Sequence, residues 1–149
     1  MKLVLILFVL VAICVAIHGA GTVIGLRWIS KDSTLRPCHS SLLMTFWVLT
    51  RVVFGLLILH LLQILAWAVC YELDSCFPDF ATSFYYSATS YSTVGYGDVI
   101  PPGNWRVFGA IEAVTGVLMF GWSAGILFSI VNRLMGRFVK ISHHENHTP

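Results

Sequence analysis

The run Thr93-Val94-Gly95-Tyr96-Gly97-Asp98 holds the residues best able to do chemistry in this chain, and that chemistry is coordination of a cation by backbone oxygens. Gly95 and Gly97 accept φ > 0 at little steric cost, so successive carbonyls can turn to one side instead of alternating as in a strand. If Thr93, Val94, Gly95, Tyr96 and Gly97 present carbonyls to a common axis, with the Thr93 hydroxyl at the inner end, several chains around that axis stack cages of oxygens. Such cages suit a hard, weakly hydrated monovalent cation. The Val94 and Tyr96 side chains then point outward into packing, and Asp98 sits at the outer mouth.

The remaining reactive residue types do not assemble into a second chemistry. There is no nucleophile with a base and an orienting acid and no phosphate-binding loop, so an enzyme is not expected, and neither a cofactor nor a nucleic-acid partner is implied. Cys14, Cys38, Cys70 and Cys76 lack metal-ligand spacing. His143, His144 and His147 read as a solvated end. His60 and Gln63 lie on adjoining turns and either line a pathway or bond to a neighbouring helix. Glu112 stands inside an apolar run, where a carboxylate is a functional candidate; its expected role is support of the cation-binding segment.

The elements that must position these residues are membrane helices. Of 149 residues, 57% are hydrophobic and 11% charged, a balance outside the range of soluble domains. Three stretches meet the ~20-residue requirement for a span: Leu3 to about Leu26, Thr45 to Val69, and Val107 to Val131. Between the last two, Cys70 to Arg106 is too polar to span and reads as a re-entrant loop. Pro78 and Asp79 suit the start of a short helix, over about 78–92, that ends at Ser92. At ~1.5 Å per residue it reaches about halfway through the bilayer, with its negative dipole end toward the centre.

From about Phe80 to Val131 the chain resembles the pore module of potassium channels, the small prokaryotic ones above all. The resemblance is carried by Tyr85 and Tyr86, Ser92-Thr93 at the filter entry, the filter itself, Pro101, Trp105-Arg106 opening the last helix, and Gly116 and Gly121 beyond. Thr-Val-Gly-Tyr-Gly is the peptide by which that family's filter is known, so the match is a likeness and not a derivation. It implies an all-α integral membrane protein of the potassium-channel pore fold, with outer helix 45–69, pore helix 78–92, filter 93–98 and inner helix 105–132. One extra transmembrane helix (1–26) and a basic loop (27–44) precede the pore domain, and a short tail (133–149) follows.

The resemblance further implies a homotetramer in the bilayer, each chain joining three further copies, with K+ bound at Thr93, Val94, Gly95 and Tyr96 as the permeant ion. Tyr85, Tyr86, Ser92, Asp98 and Glu112 are then filter supports. Gly116 and Gly121 are inner-helix hinges, and Ala124, Phe128 and Asn132 fall along one face and line the pore. Four copies of Phe128 near the axis could form a hydrophobic constriction, or the ring could pack on a neighbouring helix or lipid. Thr89 stands where some family members place an acid, so their carboxylate pair with Asp98 is not carried over. A non-conducting modulatory subunit and a weakly selective cation channel are the competing functions; the intact glycines disfavour the first and Tyr96 the second.

Charge asymmetry orients the chain in a cell membrane. Arg27, Lys31 and Arg36 in the first loop, and Arg133, Arg137 and Lys140 after the last span, predict that both segments are cytoplasmic and the N-terminus outside. Cys70 and Cys76 then share the outer side, as a disulfide or as free thiols. A cleaved signal peptide ending near His18 to Gly21 would invert the filter and violate the charge rule. Retained, the first helix packs outside the pore helices through Ala12, Ala16, Ala20, Gly21 and Gly25; it has no arginine ladder for voltage sensing. No soluble regulatory domain is expected.

Overall fold

A computed structural model describes the backbone of residues 2–31 and 42–145, and the side chains of these except 29–31, 42, 44 and 136–145. The chain forms α1 (Lys2–Lys31), α2 (Leu42–Leu73), α3 (Phe80–Tyr91) and α4 (Trp105–Glu145). Three are long and apolar enough to cross a membrane, over Lys2–Trp28, Thr45–Leu73 and Trp105–Met135. The protein is thus a multi-pass membrane protein by length and composition of its helices. Cys38, Arg36 and His147 lie outside the described residues, and the side chains of Arg137, Lys140, His143 and His144 are not described.

The three spanning helices run further than the sequence boundaries, whereas α3 is shorter than the expected 78–92. α1 continues past residue 26 and α2 extends from 42 to 73 instead of 45 to 69. α4 carries on beyond 132, so that residues 133–145, expected as a tail, prolong the inner helix. A span ends where its apolar run ends, but a helix persists as long as its residues are tolerant of it, and Arg133, Leu134 and Met135 are good helix formers.

α3 is the short element, and its start is fixed by a cap. Asp79 has extended backbone angles (φ −155°, ψ 162°) and accepts from the Thr82 backbone N–H at 2.8 Å, satisfying one of the free donors of the first turn. Pro78 therefore stands just before the cap and not within the first turn.

α3 is wedged between α2 and α4, and α1 packs on α2 and α4 from outside. The main core gathers Trp67 and Tyr71 of α2, Tyr86 and Tyr91 of α3, Phe108 and Met119 of α4, and Leu10 and Cys14 of α1. Tyr71 meets both Tyr86 (centroids 5.2 Å apart) and Trp105 (5.9 Å) edge to face, a favoured aromatic geometry. A smaller cluster of Val48, Ile130 and Leu134 ties α2 to α4 near the other end.

Candidate functional site

The segment expected to form a filter begins as the C-terminal cap of α3. Ser92 is the cap residue, and its backbone N–H and hydroxyl both reach back to the Ala88 carbonyl. Thr93 follows in the left-handed region at φ +63°, the position where helices usually end in glycine, and donates its N–H to the Ser90 carbonyl at 2.9 Å. A β-branched residue in that region is a true outlier, and such strain collects at functional sites.

Beyond Thr93 the handedness alternates. Gly95 has φ +48° and Gly97 φ +76°, and the residues between them, Val94 and Tyr96, do not have positive φ. Three left-handed positions at every second residue defeat the alternation of a strand, which is the backbone condition for turning successive carbonyls to one side. Gly95 N–H returns to the Thr89 carbonyl at 3.0 Å, holding the strand against the helix end. The segment from Thr93 to Asp98 is exposed throughout in the single chain, Tyr96 to 72%.

Asp98 is braced by the helix that precedes it. The Tyr85 hydroxyl donates to Asp98 Oδ2 at 2.7 Å, and Asp98 Oδ1 accepts from the Val99 N–H at 3.1 Å. The carboxylate beside it raises the Tyr85 phenol above its ordinary range, because the bonded hydroxyl gives up its proton less readily. Tyr85 thus provides the bond to Asp98 that Thr89 cannot; Thr89 turns its hydroxyl to the Tyr86 carbonyl.

Glu112 sits behind α3, fully buried, and joins three helices. It accepts from the Tyr71 hydroxyl of α2 at 2.8 Å and from the Ser87 hydroxyl of α3, which also bonds the Ile64 carbonyl. The contact face of α4 is continued by two glycines in register with it. A β-carbon on Gly109 would overlap the Tyr86 hydroxyl, and one on Gly116 would overlap the Tyr91 carbonyl oxygen. Gly109, Glu112 and Gly116 thus form one stripe on which α3 lies. α4 is continuous through Gly116, whose missing side chain admits the end of α3. Gly121 has open space around it.

A second polar group, at the far end of α3, links all four helices. His60 bonds the Tyr91 hydroxyl (3.1 Å) and the Ser123 hydroxyl (2.9 Å), Tyr91 donates to Gln63 Oε1 (2.6 Å), and the Gln63 amide meets His18 Nδ1 (3.0 Å). All five side chains are buried. His60 and Gln63 therefore bond to neighbouring helices. His18, Tyr91 and Ser123 escaped the sequence reading; a histidine and a serine inside apolar spans were the available signal.

Ala124, Phe128 and Asn132 all lie on the exposed side of α4, opposite Ser123, Ile130 and Leu134, with Phe128 68% exposed. Cys70 and Cys76 are free thiols, and burial pushes Cys76 up to about 11. Among the described residues no three His, Cys, Asp or Glu side chains group as a metal site.

Residues 55–133 match a family model described as "Ion channel". The chain is 37% identical over 68 residues to the voltage-gated potassium channel Kch of Escherichia coli, covering 45% of this chain and 16% of that protein. It is 34% identical over 62 residues to potassium voltage-gated channel subfamily A member 2 of Xenopus laevis and of Mus musculus, covering 41% of this chain and 12% of theirs. The chain thus aligns with less than a fifth of the length of these relatives. No solved structure matches it.

Proposed function

The chain belongs to this ion-channel family, with the potassium-channel pore fold, and we propose that it is one subunit of a tetrameric, potassium-selective channel. The observation that carries the reading is the left-handed backbone at Thr93, Gly95 and Gly97, alternating with ordinary residues. Four such strands around an axis would surround a dehydrated K+ with the carbonyls of Thr93, Val94, Gly95, Tyr96 and Gly97 and the Thr93 hydroxyl. K+ is the permeant ion in this reading, and no cofactor takes part.

Irregular backbone at membrane depth is tolerated where it lines water or is buried in protein. The exposed filter of a single chain meets that condition once three further copies close the ring, which also gives Val94 and Tyr96 something to pack on. Ser92, Tyr85, Tyr86, Asp98 and Glu112 then support the filter, and Ala124, Phe128 and Asn132 face the conduction path below it. Arg27, Lys31 and Arg36 after the first apolar run, and Arg133, Arg137 and Lys140 after the third, favour a cytoplasmic C-terminus and an external N-terminus.

The test is reconstitution: liposomes holding the purified chain should release K+ down its gradient when a counter-ion path is supplied, and should not release Na+ under the same conditions. Chemical crosslinking of the same sample should stop at four copies.

A further inference from the structure

The C-terminal part of α1, the first half of α2 and Ile126 and Ile130 of α4 border a half-open apolar cavity of about 420 Å³, a size typical of ligand sites. Gly25 of α1 and Gly55 of α2 both line it, and a β-carbon on either would meet nothing within 4 Å. Glycine commonly lets membrane helices approach, as Gly21 does here, where a β-carbon would overlap Leu59. At Gly25 and Gly55 the helices do not use the space, and a side-chain-sized void remains.

The lining carries one cation, the exposed Arg51. Arg51 lies one turn from Gly55 on the same face of α2. Its guanidinium stands 5.1 Å from the Trp28 ring centre and 5.3 Å from that of Trp47. An arginine between two tryptophans at the end of a span marks the headgroup level of a bilayer. Planar guanidinium is also suited to a phosphate, which it can bind through two parallel N–H donors. The floor is made by Ile126 and Ile130 of α4. Phe128 lies between them in sequence, on the opposite side of the helix, so the cavity faces away from the proposed pore axis.

We propose that this cavity holds an acyl chain of an anionic phospholipid whose phosphate is bound by Arg51 beside Trp28 and Trp47. The α1 side of the site lies outside the segment that matches the ion-channel family. The proposal needs only that the protein sits in a bilayer, and it stands or falls independently of ion selectivity. The occupant would press directly on α4, so a lipid at this place acts on the helix that carries Phe128.

Native mass spectrometry of the full chain, delipidated and then mixed with palmitoyl-oleoyl phosphatidylglycerol or the matching phosphatidylcholine, tests this. The expected result is retention of phosphatidylglycerol at least tenfold over phosphatidylcholine. Gly55→Leu, which fills the void, and Arg51→Gln, which removes the charge, should each cut retention by roughly tenfold. Ile58→Ala, an exposed position of α2 outside the cavity, should leave it unchanged. Equal retention of both lipids, or undiminished phosphatidylglycerol in Gly55→Leu, would overturn the site. Exclusion of lipid because a second copy fills the cavity would overturn it too. If Gly55→Leu fails to fold, the wild-type lipid preference and Arg51→Gln, at an exposed position, decide the matter.

Discussion

The Tyr85 hydroxyl donates to the Asp98 carboxylate at 2.7 Å, tying α3 to the residue that follows Gly97. Tyr85→Phe removes this tie and leaves the packing of the ring intact. The expected outcome is a modest loss of K+ over Na+ permeability, severalfold and not complete, because Asp98 keeps its bond to the Val99 N–H. The carboxylate raises the Tyr85 phenol above its ordinary value. Its stabilising bond is therefore fully present below the free-tyrosine range, near ~10, and is lost as pH rises through the higher bound value. The wild type should lose filter integrity at strongly alkaline pH by a step absent from Tyr85→Phe. Identical selectivity and alkaline behaviour in the two proteins would remove Tyr85 from the filter's support.

Glu112 has two hydroxyl donors and no exposure. Glu112→Ala leaves the buried Tyr71 hydroxyl without its acceptor, at about 1–3 kcal/mol, and adds a void. Glu112→Gln keeps an oxygen acceptor and the shape. Thermal denaturation of the assembled protein in detergent should show the alanine variant well below the glutamine variant. Normal assembly and current in Glu112→Ala would contradict a supporting role.

Gly116 and Gly121 should respond oppositely to alanine. At Gly116 the added carbon meets the main-chain oxygen of Tyr91, which cannot step aside as a flexible side chain would; overpacking of this kind costs about 1–3 kcal/mol. At Gly121 nothing stands in the way, and the gain in helix propensity is up to about 1 kcal/mol. The fraction of oligomer surviving a heating series distinguishes them, with Gly116→Ala falling and Gly121→Ala holding.

Phe128 projects from the exposed side of α4 in line with Ala124 and Asn132. If four such rings form a dewetted constriction, Phe128→Ala raises resting K+ leak severalfold and leaves the K+ over Na+ ratio unchanged. Unaltered resting conductance in an assembled Phe128→Ala protein places the gate elsewhere.

The spans and the left-handed backbone at Gly95 and Gly97 were legible because each is local: an apolar run declares a membrane helix, and paired glycines in a fixed pattern declare an unusual backbone. Contacts across long separations were not. Glu112 was visible as a buried acid, but its partners Tyr71 and Ser87 lie 41 and 25 residues away. Gly116 suggested a bend because glycine is permissive; the Tyr91 carbonyl that requires it is visible only in the fold. His18 escaped notice because its partner Gln63 lies 45 residues on. Helix ends were misjudged because hydropathy marks the bilayer and not the helix.

The central claim is that Thr93 to Gly97 select K+ by backbone carbonyls, and the most direct measurement is the reversal potential of the reconstituted protein with K+ on one side and Na+ on the other. The account predicts reversal far toward the K+ equilibrium potential. Gly95→Ala, which puts a β-carbon at φ +48°, should lose that selectivity or all current. Reversal near zero in the unmodified protein, with current carried equally by both ions, would contradict it.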